Sequence, residues 1–172
     1  MDREDTITPS LDKAWTVIGI MSGTSLDGLD VARARFKILE NGDWKGEILD
    51  FKCFEFSEEL SERLRSAMQI NAWELQELER DWSLYAAECV VSMELEADLL
   101  SSHGHTVFHN PAKGITTQIG SGAILAAETG FPTVCDLRSL DVAYGGTGAP
   151  LIPIVDRLLF SDFEACVNLG GF

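Results

Sequence analysis

Trp15-Thr16-Val17-Ile18-Gly19-Ile20-Met21-Ser22-Gly23-Thr24-Ser25-Leu26-Asp27-Gly28 is an apolar, β-branched run that breaks into a turn crowded with glycines and hydroxyls. The first half reads as a buried strand and the second as a turn. Leu29 to Ile38 then predicts a second strand. Asn41-Gly42-Asp43 is a hairpin signal, and Lys45 to Phe56 a third strand. Three strands joined by short turns predict an antiparallel meander.

Helices follow. Ser57 is placed to cap one, with Glu58 and Glu59 in its first turn and Leu60, Leu64 and Met68 recurring every fourth residue. Asn71 and Glu74 form a capping-box pair ahead of Leu75, Leu78, Trp82, Tyr85 and Cys89, which predicts an amphipathic helix to about Glu96. Beyond it the chain becomes rich in glycine. Leu99 to Ser102, Val107 to His109, Ile115 to Ile119 and Phe131 to Cys135 read as short strands. Ala123 to Thr129 reads as a helix closed by Gly130, Val142 to Pro150 as a loop, and Leu151 to Phe160 as a helix. Ala165 to Leu169 begins one more strand, and Gly170-Gly171-Phe172 reads as a glycine turn in which the sequence is cut. The whole reads as a mixed α/β lobe, and at 172 residues it is long enough to bury roughly 70% of its unfolded surface.

Charge narrows the function. With 13 basic against 28 acidic residues the net charge is −15. That argues against a basic face for nucleic acid and against docking on an anionic membrane. No apolar run reaches the ~18 residues of a transmembrane helix. The acidic Met-Asp-Arg-Glu-Asp start predicts no secretory leader, hence a cytoplasmic chain. Cys53, Cys89, Cys135 and Cys166 have neither disulfide nor zinc spacing and predict buried, reduced thiols. Glu58 to Asp98 carries 11 acids and 3 arginines, the solvated face of two helices or an electrostatic docking surface.

Five segments could carry chemistry. In the turn from Ser22 to Gly28, free N–H groups and hydroxyls suit an anion, and Asp27 could hold Mg²⁺ through water. The P-loop lysine is missing, and a tight hairpin fits equally well. Ser102-His103-Gly104-His105-Thr106-Val107-Phe108-His109 holds all three histidines. They could ligate a metal, line a polar pocket or be structural. Gln118-Ile119-Gly120 leads into a helix N-terminus. Asp136 and Arg138, two apart, face one cleft or form a surface ion pair. Gly145-Gly146-Thr147-Gly148-Ala149-Pro150 could wrap a substrate or hinge.

Taken in order, these strings resemble the anhydro-N-acetylmuramic acid kinases. The match runs from Gly19-Ile20-Met21-Ser22-Gly23-Thr24-Ser25-Leu26-Asp27-Gly28-Leu29-Asp30 to Asn168-Leu169-Gly170-Gly171, over about residues 15 to 172. The resemblance implies an RNase H-like, actin-like ATPase fold with two lobes around an ATP cleft. Residues 1–13 would be a flexible N-terminus, 14–160 the N-terminal lobe and 161–172 the first strand of a truncated second lobe. It implies ATP and Mg²⁺ as cofactors and an amino sugar as partner. It implies that Gly23, Thr24, Ser25, Leu26, Asp27, Gly28, Leu29 and Asp30 form the first phosphate loop. His103, His105, Gln118, Asp136, Arg138, Gly146 and Gly148 would line the sugar side.

Family members are about twice as long. The resemblance places their catalytic aspartate downstream of Phe172, in a Gly-x-Asp-x-Gly-Pro-Gly-Asn segment that this sequence lacks. Asp136 is only a weak substitute, so no base is assigned and little activity is expected of the chain alone. A non-catalytic lobe that binds sugar, phosphate or a partner is the alternative. The unpaired edge at Ala165 to Leu169 would favour self-association or a homodimer. Where this chain has His105, Leu137 and Thr147, the family usually has Gln, Phe and Gln.

Overall fold

The computed structural model describes residues 13–167. β1 (Ala14–Ser22), β2 (Gly28–Ile38) and β3 (Trp44–Glu55) form the antiparallel meander, with Ile18 opposite Arg33 and Ala34 opposite Ile48. α1 (Glu58–Arg65) and α2 (Ala72–Ser92) follow, then β4 (Leu99–Asn110), which runs parallel to β1. β5 (Ile115–Ile119) folds back antiparallel on β4, and β6 (Thr133–Val134) joins β4 in parallel at Leu100 and Ser101. The sheet order is β3-β2-β1-β4-β5, with β6 beside β4. α3 (Gly122–Thr129), α4 (Ser139–Ala143) and α5 (Ile152–Leu159) complete the described elements. This is the mixed sheet with flanking helices, opening on a three-strand meander, that the sequence predicts.

The core lies where α2 and α3 meet the sheet. Ile18, Ile20, Leu29, Val31 and Leu100 supply the sheet side, Leu78, Trp82 and Val90 the α2 side, and Leu125 the α3 side. Burying such side chains is worth about 1.5–3 kcal/mol each. Caps fix the helix starts. Ser57 Oγ accepts from Leu60 N at 3.1 Å, and the Asn71–Glu74 capping box is complete. Replacing Asn71 with alanine frees both N–H groups it accepts from. The expected loss is about 1 kcal/mol of stability, read as a lowered urea midpoint.

Several expectations are corrected. The segments Leu99–Ser102 and Val107–His109 are parts of one twelve-residue strand. α1 stops at Arg65, with Ser66 as its C-cap, and Met68, beyond the helix, is exposed. α2 ends at Ser92 rather than Glu96, and Glu94 has a left-handed φ of 50°. The strand at Phe131–Cys135 shrinks to Thr133–Val134, since Pro132 has no N–H to pair. The supposed loop from Val142 begins within α4, started by Asp136 Oδ1, which accepts from Ser139 N at 3.1 Å. Of the four cysteines only Cys89 is buried. Ala165–Val167 form no strand. Asn168 and Leu169, the rest of that predicted strand, lie outside the described residues. So do the turn at Gly170, Gly171 and Phe172, behind which the family's base was expected, and residues 1–12.

Candidate functional site

The site grows from a bulge in β4. Ile20 pairs with Ser102, but two residues later Ser22 pairs with His105, so β4 carries one residue more than β1 here. The extra step falls at Gly104, whose φ is +71°. A Cβ there would lie 2.4 Å from Ile119 O, so only glycine fits. The bulge breaks strict alternation, and His103 and His105 have different surroundings as a result. His105 is 3% exposed and bonds through Nδ1 to the buried Ser22 Oγ at 2.9 Å. His103 lines a cavity. His109 is exposed near the strand end and pairs with Thr116 Oγ1 at 3.1 Å. The three histidines thus do not converge. Among the described residues no group of three His, Cys, Asp or Glu side chains could hold a metal ion.

His103 is a strut. Its Nδ1 lies 3.0 Å from Gly104 O, and a carbonyl only accepts, so Nδ1 carries the proton. Nε2 is then free to accept from Arg138 Nε at 3.0 Å. Burial pushes the His103 pKa below its ordinary value, and the Arg138 charge pushes it the same way. Burial also lowers that of His105, helped by the nearby His103. Both imidazoles are therefore neutral at pH 7. Arg138 Nη1 donates in turn to Gly148 O, which ties the strut to the glycine-rich loop.

That loop is folded rather than free. Gly146 N donates to Asp141 O at 2.8 Å, and Gly148 N to Asp141 Oδ2 at 2.7 Å. A Cβ on Gly146 would strike the Asp141 carboxylate at 2.2 Å. Gly146 thus serves the fold of the loop, while Gly148 presents its carbonyl to Arg138.

A cavity of about 350 Å³ opens here. Its walls are Ser102, His103 and Gly104 of β4, Thr116 to Gln118 of β5, Gly120 to Gly122 at the start of α3, and Cys135, Asp136 and Ser139. Gln118 Nε2 donates to Thr116 Oγ1 at 2.9 Å, which holds its amide across β5. Glu79 closes one side from α2. The α3 start is fixed from behind by Ser83, fully buried, whose hydroxyl donates to Glu79 O at 2.6 Å and accepts from Ser121 N at 2.8 Å. Trp82 packs under Gly120, where a Cβ would come within 2.8 Å of the indole ring. Ser83→Ala leaves Ser121 N–H without its acceptor. It is expected to cost about 1–3 kcal/mol in a urea melt, while Ser83→Thr keeps most of the bond.

The hydroxyl-rich turn leaves β1 directly beside the bulge. Leu26 has a left-handed φ of 61°, and its N–H bonds to Gly23 O at 3.3 Å. Thr24, Ser25 and Asp27 border solvent, and Ser25 Oγ donates to Asp27 Oδ1 at 2.7 Å. That bond holds the Asp27 carboxyl below its ordinary pKa, so it is anionic. Gly28 answers to packing: a Cβ would sit 2.4 Å from Phe54 O on β3. Leu29 is fully buried in the core, and Asp30 bonds to the Cys53 thiol and raises that thiol's pKa.

Of the residues singled out from sequence, His103, Gln118 and Asp136 line the cavity, Arg138 bonds to His103 in its wall, and Gly148 bonds to Arg138 one step behind. His105 lies behind it, bonded to the last residue before the turn. Asp136 and Arg138 do not pair: Asp136 caps α4 and Arg138 goes to His103. Glu79, Ser83, Thr116, Thr117 and Cys135 belong to the site without having stood out in the sequence. Ser83 alone left a trace, as a hydroxyl next to the apolar stripe of α2.

A mixed α/β lobe with a polar cavity beside a hydroxyl-rich turn at the end of a central strand is a frame that can hold a small polar ligand. The profile of the family described as anhydro-N-acetylmuramic acid kinase matches residues 15–172. The chain belongs to that family. Its relatives include the anhydro-N-acetylmuramic acid kinases of Paramagnetospirillum magneticum, 39% identical over 90% of this chain and 45% of that protein, and Rhizobium etli, 37% identical over 94% and 48%. That of Synechococcus elongatus is 38% identical over 90% of this chain and 44% of that protein. The chain spans about half the length of the curated relatives it matches. The Thermus thermophilus RuvC structure matches with a TM-score of 0.39 at 13% identity, over 89% of this chain and 84% of that one.

Proposed function

We propose that this chain supplies the sugar side and first phosphate loop of an ATP-dependent kinase. The enzyme opens 1,6-anhydro-N-acetylmuramic acid and phosphorylates it to N-acetylmuramic acid 6-phosphate, a step of peptidoglycan recycling in the cytoplasm. Water attacks the anomeric carbon, the bond from C1 to O6 breaks, and O6 takes the γ-phosphoryl group of ATP. The proton from water passes to a base, and ADP leaves. The reaction needs positioning and charge neutralisation more than covalent help.

The observation that carries this reading is the convergence, in a chain of this family, of one cavity and one turn. The cavity offers the neutral His103, the Gln118 amide and the backbone at the start of α3. Beside it the turn offers the Thr24 and Ser25 hydroxyls and the anionic Asp27. Asp27 is the residue that would meet the Mg²⁺ accompanying ATP, through water. The Asp136 carboxylate lines the cavity but is committed to Ser139 N, which leaves it poorly suited as the base. We therefore assign no base among these residues, in keeping with one supplied downstream of Phe172. No described helix is long and apolar enough to cross a membrane.

The test is sugar-dependent ADP release, measured for the 172-residue chain alone and mixed with the remaining half of the Paramagnetospirillum relative. Turnover is expected only in the mixture, at least about a hundredfold above either part, since half a cleft positions no phosphoryl transfer. Sugar binding without turnover in any mixture supports the alternative, a binding lobe. Turnover by the chain alone would move the base to Asp136.

A further inference from the structure

β3 is the edge of the sheet, and among the described residues no strand pairs with its outer side. It is twelve residues long, and its apolar side chains are covered unevenly. Trp44 meets Val155, Leu158 and Leu159 of α5, and Gly46 faces Leu159. Further along, Ile48 and Phe51 are 72% and 63% exposed. Three positions apart in a regular strand, they would point to opposite faces. Here the register shifts at Leu49, between the pairs Arg33–Asp50 and Ala34–Ile48. Ile48 pairs with Ala34 and Phe51 with Ala32, so both stand on one face. Glu47 pairs with Arg35 and Lys52 with Val31, so these two share the other face. The strand is therefore symmetric about the Leu49–Asp50 peptide. An apolar residue and then a charged one follow on each side, and the two charges are opposite in sign.

We infer that β3 pairs antiparallel with β3 of a second copy of this chain, about a two-fold axis between Leu49 and Asp50. In that register Ile48 falls opposite the partner's Phe51, and Glu47 opposite the partner's Lys52. The two-fold axis repeats each contact, as a self-complementary patch requires. Asp50 lies next to the axis, where like charges would repel, and Arg33 Nη2 neutralises it at 2.6 Å. Glu47 is held only loosely, at 3.7 Å from Arg35, and is free to turn to the lysine. A lysine on an edge strand commonly guards it against pairing, but in this register each Lys52 meets an acid. A slip of one residue would set Ile48 opposite Asp50 or Lys52, so the match selects one register. This self-match is what favours a second copy over an unrelated protein. The inference is independent of the kinase reading.

The contact is one strand wide, so a dissociation constant on the order of 10–100 µM is expected. Sedimentation velocity of the 172-residue chain from about 5 to about 300 µM should show a monomer–dimer equilibrium. Glu47→Lys and Lys52→Glu each set like charges opposite one another twice, and each should weaken the dimer at least about tenfold. The double variant Glu47→Lys/Lys52→Glu restores the pairing and should return within about threefold of the parent. Both side chains are exposed, and urea midpoints confirm that each variant folds. A chain that stays monomeric throughout would overturn the inference. Loss of turnover by Ile48→Lys in the two-half mixture would then give the bare face to the second half. A dimer that survives both single variants, or that the double variant fails to restore, would also overturn it.

Discussion

Gly104→Ala is expected to lower the stability of the chain by about 3 kcal/mol or more. The left-handed backbone at φ +71° costs a residue with a Cβ about 1–2 kcal/mol. The new methyl would also be driven to 2.4 Å from Ile119 O, so β4 and β5 must part or the bulge must unwind. Gly114→Ala is the matched control, since its φ is +67° but nothing lies within 4 Å of a Cβ. It should cost about 1–2 kcal/mol. Urea midpoints of the two variants measure the difference directly. Equal losses would mean that the close approach of β4 to β5, and with it the bulge that separates His103 from His105, is not as described.

The second large effect is on pH. His103 and His105 are both held neutral, with pKa values below the ordinary one of about 6.5 that they regain on unfolding. Between the folded and the unfolded pKa the unfolded chain binds more protons, so stability falls as pH drops through that window. Above about pH 7 the two groups contribute no slope. Below about 6.5 the loss approaches about 1.4 kcal/mol per pH unit for each proton taken up. Thermal midpoints from about pH 7.5 to about 5.5 should therefore fall. His105→Gln should flatten the fall, because a glutamine amide still meets Ser22 Oγ but does not titrate. An unchanged slope in that variant would mean that His105 is not the buried, neutral partner of Ser22.

What the sequence made legible follows from range. The meander was readable because β1, β2 and β3 are joined by short turns and each carries its own apolar run. The caps at Ser57, Asn71 and Gly130 were readable because capping is a contact between residues a few positions apart. The site was half readable. Glycines and polar residues marked where the chain turns, but not what those turns touch. Gly28 and Gly146 read as glycines at a ligand, and the close approach of Phe54 O and the Asp141 carboxylate, which gives each a local reason, was not readable. Asp136 and Arg138 read as facing one cleft or as an ion pair, and the pair is absent because each has a different partner. Ser83 and Ser121 are 38 residues apart, and His103 and Arg138 are 35 apart. Contacts at such separations are set by how α2, α3 and β4 pack, which no local pattern records. The different surroundings of His103 and His105 were hidden for a simpler reason: a one-residue bulge resets the alternation that strand reasoning depends on.

The claim that the cavity beside His103 receives the sugar has a reporter within it. Cys135 is exposed and lines the cavity, Cys53 and Cys166 are exposed elsewhere, and Cys89 is buried. The decisive measurement is the rate at which iodoacetamide modifies each thiol, read by peptide mass, with and without saturating 1,6-anhydro-N-acetylmuramic acid. The sugar is expected to slow modification of Cys135 severalfold and to leave Cys53 and Cys166 unchanged. An unprotected Cys135 at saturating sugar would contradict the claim.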